Sequence, residues 1–80
     1  MDKKEIIEKL TEIFRTVFNN TDLTLQEEMT ADDVDAWDSL THMLMISKVE
    51  KTFCIKIKLR ELNKLNTVGN LIDLIESKIA

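Results

Sequence analysis

Asp38-Ser39-Leu40-Thr41-His42 sets a carboxylate, a hydroxyl and the only imidazole of this chain within five residues. On a helix, side chains three apart share a face, so Ser39 and His42 could meet as nucleophile and base. A hydrolytic centre needs more than that pair. Gly69 is the only glycine, so no glycine-rich turn supplies an oxyanion hole, and 80 residues leave little room for a substrate pocket. Hydrolysis is therefore the poorer reading of the three residues. Metal chemistry fares no better: Cys54 and His42 are the only cysteine and histidine, which excludes a disulfide and a Cys/His metal cluster, and no metal site is expected. Asp22, Glu27, Glu28, Asp32, Asp33, Asp35 and Asp38 offer oxygen ligands to calcium but lack the turn glycine and spacing of a calcium loop, so they read as a solvated acidic surface. Cys54 itself reads as a small buried filler or an exposed bystander.

The elements that must hold Ser39 follow from composition and periodicity. A chain with no proline, one glycine and abundant Leu, Ile, Glu and Lys favours helix over hairpins. Ile6, Ile7, Leu10, Ile13, Phe14, Val17 and Phe18 form one apolar helical stripe, which Asn19 and Asn20 end. Residues 20–38 show neither a helical nor an alternating period and read as a long loop pinned by Leu23, Leu25, Met29, Val34 and Trp37. Its length would let the next helix run parallel to the first. That helix starts at Asp38 or Ser39, either of which can cap a first turn, and buries Met45, Ile46, Val49 and Phe53. Phe53 to Leu59 alternates like a strand but has no partner strand to pair with, so it reads as an extended loop. Leu59 to Leu65 forms a short third helix with Leu62 and Leu65 inward. Thr67 caps a fourth helix carrying Val68, Leu71, Ile72, Ile75 and Ile79. The expected fold is all-α: one domain over residues 1–80, a four-helix bundle with a short third helix and a long loop between helices one and two.

The second helix has a second apolar face. At about 100° per residue, Leu40, Met43 and Leu44 fall opposite Val49, where solvent is expected. They form either a docking surface or a patch covered by loop residues such as Trp37. Charge adds to the picture. The net charge of −4 argues against nucleic acid, and its distribution is uneven: residues 19–38 carry −7, whereas 52–66 carry +3. No apolar run spans a bilayer, and the N-terminus mixes acids and bases, so no membrane partner and a reduced, cytoplasmic setting are expected.

With these elements in place, Asp38-Ser39-Leu40 resembles the Asp-Ser-Leu motif of acyl carrier proteins and related carrier domains. The resemblance covers essentially the whole chain, from the amphipathic first helix through the acidic loop to Glu50–Phe53 and Thr67-Val68. The form Trp37 to Met43 looks most like stand-alone carriers of specialised pathways. The resemblance implies that Ser39 receives 4′-phosphopantetheine from coenzyme A, with Asp38 and Leu40 as recognition for the phosphopantetheinyl transferase. It implies a carrier, not an enzyme, holding acyl intermediates as thioesters in fatty acid, polyketide or other specialised biosynthesis. An aminoacyl or peptidyl carrier of the same fold, or a helical adaptor, is the alternative. Trp37, Met43, Leu44 and Ser47 are candidates for partner docking, and His42, Met45, Ile46, Leu62 and Leu65 for an acyl pocket. The simpler readings are that Trp37 anchors the loop and that His42 is half-buried with a local hydrogen bond. Implied partners are the transferase, an acyl- or aminoacyl-activating ligase, and acyltransferases or synthases, served by a monomer. One departure stands out. Carriers of fatty acid synthesis present acids along helix two, whereas here Leu44, Ser47, Lys48 and Lys51 stand at the exposed positions with only Glu50 acidic, and Lys56, Lys58, Arg60 and Lys64 follow. An apolar, partly basic docking face is the expectation.

Overall fold

The computed structural model describes residues 2–34, 36–62 and 64–79. The helices are α1 (Lys3–Val17), α2 (Ser39–Phe53), α3 (Leu59–Leu62) and α4 (Val68–Ile79), with a 3-10 turn at Ala31–Asp33 inside the long loop. No strand occurs among the described residues, as expected of an all-α chain.

Each helix is bounded by local chemistry that the sequence carries. Asp2 caps α1 by accepting the Glu5 amide at 2.9 Å. At the other end Asn19 turns left-handed (φ 52°) and the Asn20 amide returns to the Arg15 carbonyl at 3.1 Å, a Schellman-type stop for which asparagine is suited. Thr67 Oγ1 accepts the Asn70 amide at 3.1 Å, while Asn70 Oδ1 takes the Thr67 amide in return at 3.1 Å, so α4 begins where the cap residue placed it. Between α2 and α3, residues 55–58 run without regular structure. Their backbone is not left unpaired: the Ile57 amide donates to Glu50 Oε2 at 2.8 Å and the Lys58 amide to Glu61 Oε1 at 2.8 Å.

The third helix is shorter than expected. It closes at Leu62 instead of Leu65, and Leu65 follows in a turn whose amide bonds the Leu62 carbonyl at 3.1 Å. Asn63 lies outside the described residues. A single turn gains too few helical bonds to propagate, and the tighter turn satisfies the same groups.

The core is built by the expected stripes. Ile6, Leu10, Phe14, Met45, Val49, Val68, Ile72 and Ile75 are fully buried, and every buried residue among those described is apolar. Burying each such side chain contributes about 1.5–3 kcal/mol against the chain entropy lost on folding. The long loop joins this core. Val34 is buried, and Leu23, Leu25, Met29 and Trp37 pack against the cluster. Two backbone bonds pin it further: the Val68 amide donates to the Met29 carbonyl at 2.9 Å and the Gly69 amide to the Glu27 carbonyl at 2.8 Å. The loop thereby caps the first turn of α4 with its own carbonyls. Gly69 permits this approach, because a Cβ there would stand 3.0 Å from the Glu27 carbonyl oxygen.

Candidate functional site

The turn that leads into α2 is held by four residues acting on one another. Asp38 is the N-cap, and its Oδ1 accepts the Leu40 amide at 3.0 Å and the Thr41 amide at 2.9 Å. Thr41 answers through its hydroxyl, which accepts the Asp38 amide at 2.8 Å and donates to the Ala36 carbonyl at 2.7 Å. This is a capping box with the acid at the cap and the hydroxyl three residues on, the reverse of the usual order. Ala36, whose carbonyl is so held, sits at φ 69°, a left-handed conformation that disfavours any residue with a Cβ. The Thr41 amide, then the Thr41 hydroxyl, hold the Asp38 carboxyl below its ordinary range, so it is charged at neutral pH.

Ser39 is the first residue of α2 and is exposed. Among the described residues its hydroxyl has no hydrogen-bond partner. The positive end of the helix dipole lies at this point. The amides of Leu40 and Thr41, however, are already committed to Asp38, so the turn offers an anion the dipole and the Ser39 amide but not a full nest of free N–H groups.

Trp37 and His42, which flank Ser39 in sequence, meet one another. The Trp37 Nε1–H donates to His42 Nδ1 at 3.0 Å, and the two rings lie side by side with centroids 5.9 Å apart and planes 15° from parallel. The other side of the indole meets Phe14 edge-on at 5.3 Å and Phe18 at 5.4 Å. Both rings are half-buried, and burial lowers the His42 pKa. Trp37, a candidate docking contact, thus packs part of its ring against Phe14 and Phe18. His42 carries the local hydrogen bond expected of a half-buried histidine.

The two faces of α2 separate cleanly. Met45, Ile46, Val49 and Phe53 are buried. Opposite them Leu40 is 71%, Met43 51% and Leu44 52% exposed, so Trp37 does not cover them. Ser47, Lys48 and Lys51 continue the exposed stripe. Glu50, the only acid of α2, is half-buried and folded onto the Ile57 amide. That bond draws the loop bearing exposed Lys56 and Lys58 back along α2, and Leu59 beyond it is 75% exposed.

Of the candidate acyl-pocket residues, Leu65 borders one of two clefts. Met45 and Ile46 are packed in the core at 0% and 3% exposure, while Leu62 and Leu65 are half-buried. An open cleft of about 670 Å³ lies between α1 and α2, where Glu5, Glu8 and Glu12 face Lys48 and Lys51 over Ile13. A second, of about 380 Å³, borders Leu65 and Leu74 between α3 and α4. Neither has His42, Met45, Ile46 or Leu62 in its wall. Sequence reasoning missed three contributors: Thr41 as the other half of the cap, Ala36 as its strained anchor, and Glu50 as the clamp on the following loop. An Asp-x-x-Thr spacing at the helix start was the available signal for Thr41; nothing in the sequence marks the other two.

An all-helical fold with an exposed serine opening α2 after a long loop defines a small carrier module. Residues 8–75 match the family model described as phosphopantetheine attachment site. The solution NMR structure of holo acyl carrier protein from Geobacter metallireducens is 46% identical, with a TM-score of 0.86 over 91% of this chain and 84% of that one. The chain belongs to the acyl carrier protein family, whose members are carriers and not catalysts. No curated protein matches it.

Proposed function

We propose that Ser39 carries 4′-phosphopantetheine and that the protein presents acyl groups on that arm to a succession of enzymes. The observation that carries this reading is the exposed Ser39 hydroxyl at the first position of α2, held out by the Asp38–Thr41 capping box. The residues fit the group: Ser39 is accessible, the dipole end favours a phosphodiester, and the surrounding turn is rigid enough to present it. When bound, the arm supplies a terminal thiol that holds cargo as a thioester. Asp38 and Leu40 serve the phosphopantetheinyl transferase as recognition.

Docking falls to Leu40, Met43, Leu44 and Ser47, an apolar face that solvation alone does not explain. Lys48 and Lys51, with Lys56 and Lys58 drawn in by Glu50, give that face a basic edge. This suits the acyl-activating ligase, acyltransferases and synthases of a dedicated pathway better than the basic docking sites of general fatty acid synthesis. An acyl chain housed between the helices would have to open a space at Met45 and Ile46, with Leu62 and Leu65 moving aside, since the core there is closed. We place the carrier in the cytoplasm as a monomer; the exposed thiol of Cys54 suits a reducing compartment.

Intact mass before and after incubation with coenzyme A, magnesium and a broad-specificity phosphopantetheinyl transferase tests the reading. Wild type should gain one phosphopantetheine and Ser39→Ala none. No gain in a folded wild type, or an equal gain in the variant, would overturn the assignment of Ser39.

A further inference from the structure

The indole and imidazole that straddle Ser39 are joined in a way that only one protonation state allows. His42 Nδ1 accepts the Trp37 Nε1–H at 3.0 Å, so Nδ1 must carry no proton and the ring must be the neutral Nε2–H tautomer. A second proton on the ring would set two N–H groups against each other. The pair also has a strategic place. Trp37 precedes Ser39 by two residues and His42 follows it by three, so the contact closes a loop across the N-cap with Ser39 at its apex. The indole is wedged on Phe14 of α1 and on Phe18, the residue that caps it, so the pair ties the Ser39 turn to the first helix.

Resting on the reading of Ser39 above, we propose that Trp37 and His42 are positioning residues: their contact holds the Ser39 turn in the arrangement the transferase uses, and protonation of His42 releases it. In loading, Ser39 Oγ bonds to the phosphorus of the pantetheine phosphate, the pyrophosphate bond of coenzyme A breaks, 3′,5′-adenosine bisphosphate leaves, and the hydroxyl proton passes to a base on the transferase. The clasp acts before that step by limiting the directions in which Oγ points.

The surroundings leave His42 free to respond to pH. α1 and its C-cap meet the indole with Phe14 and Phe18, and Arg15, next to Phe14 in sequence, is committed to the Leu23 carbonyl at 2.7 Å. At the N-cap of α2, Asp38 is committed to the amides of Leu40 and Thr41. Among the described residues no charged side chain contributes to the shift of the imidazole, which burial lowers from its ordinary 6.5. The switch therefore operates on the acid side of neutrality.

The test uses the full chain in three forms: wild type, His42→Asn, whose side-chain oxygen can replace Nδ1 as acceptor but does not titrate, and Trp37→Phe, which keeps a ring and loses the donor. Trp37 is the only tryptophan, so its emission reports the clasp without any loading. Between about pH 7.5 and 5.5 wild-type emission should titrate with a midpoint below about 6.5 at constant helical circular dichroism, and His42→Asn emission should not. Loading by the broad-specificity transferase is then measured as kcat/KM relative to His42→Asn at each pH, which cancels the enzyme's own profile. The wild-type ratio should fall at least about threefold over that range, and Trp37→Phe should load at least about threefold slower than wild type at the upper pH, with His42→Asn near wild type there. A flat ratio with normal loading, or unchanged Trp37→Phe kinetics, overturns the positioning role and leaves Ser39 as the attachment residue. Flat wild-type emission overturns the clasp itself. Absence of loading in every form overturns the Ser39 reading and the positioning role together.

Discussion

Asp38 holds the start of α2 through a single carboxylate oxygen, and the charge on that oxygen makes the hold sensitive to acid. The Thr41 amide keeps its carboxyl below the ordinary 3.8. In the unfolded chain the group takes up its proton at a higher pH than in the folded one, so its contribution to stability is present above about pH 4 and is lost as pH falls through the lower, folded value. Asparagine caps as well as aspartate and does not titrate. Thermal melts of Asp38→Asn should therefore lose less stability than wild type below about pH 4; matched acid profiles would show that the carboxylate is not what holds this turn. The His42 pKa is also lowered, by burial, so the same sign applies in a higher window: its neutral, hydrogen-bonded form supports the fold above about 6.5 and that support fades with acid. Ser39 depends on both neighbours while bonding to neither, which is why its exposure survives in a tightly bonded turn.

Two elements carry more than their periodicity suggests. The first turn of α4 is capped by loop carbonyls at Met29 and Glu27, so the acidic loop is fastened to the helix at the opposite end of the sequence. Gly69 makes this possible. In an unconstrained helix, Gly→Ala gains about 1 kcal/mol. Here the new Cβ would meet the Glu27 carbonyl at 3.0 Å and the Glu27 Cβ at 3.2 Å. Gly69→Ala should reverse the usual sign and lose on the order of 1 kcal/mol in urea unfolding. A stabilised variant would mean that the loop can retreat freely from α4. The exposed Lys3–Glu27 ion pair, at 2.8 Å, adds little to this fastening. In α2 the exposed stripe is apolar where Ser39 stands and basic farther along, because Glu50 turns aside to the Ile57 amide. Charge reversal tests that design. The holo Lys48→Glu/Lys51→Glu variant should be a better substrate than wild type for a general fatty acid synthase acyltransferase with a basic docking site. Its kcat/KM should fall with added salt while that of wild type rises or stays level; equal kinetics for the two would remove charge from the docking argument.

Taken across the molecule, stability rests on one small core. Domains of this size hold only about 5–10 kcal/mol in reserve. Leu10 is fully buried, and Leu10→Ala should remove about 2–5 kcal/mol by lost burial and the cavity left behind. That is a large share of the total, so chemical denaturation should find the variant marginal; a loss below about 1 kcal/mol would mean that the helices collapse readily around the gap. Phe14 has a double part, since it fills the core and also supports the Trp37 ring, so the fold and the presentation of Ser39 are energetically joined. The closed packing at Met45 and Ile46 belongs to the same economy: a small core leaves few voids.

Much of this architecture is written in local order. Stripes such as Ile6-Leu10-Ile13 and Leu71-Ile72-Ile75, and caps at Asp38 and Thr67, depend on neighbours within four residues, so periodicity and cap chemistry suffice to place α1, α2 and α4 and to set Ser39 at a helix start. The two faces of α2 were legible for the same reason, although not whether Leu40, Met43 and Leu44 would lie open. What sequence could not decide are the contacts between distant segments: the indole of Trp37 on Phe14 and Phe18, the loop carbonyls on α4, the left-handed turn at Ala36 and the early end of α3. Each has a competing local solution of similar energy, and only the packing of the whole chain selects one. Helix periodicity put a hydroxyl at the head of α2; tertiary contacts determined how Trp37, beside that turn, packs against Phe14, Phe18 and His42.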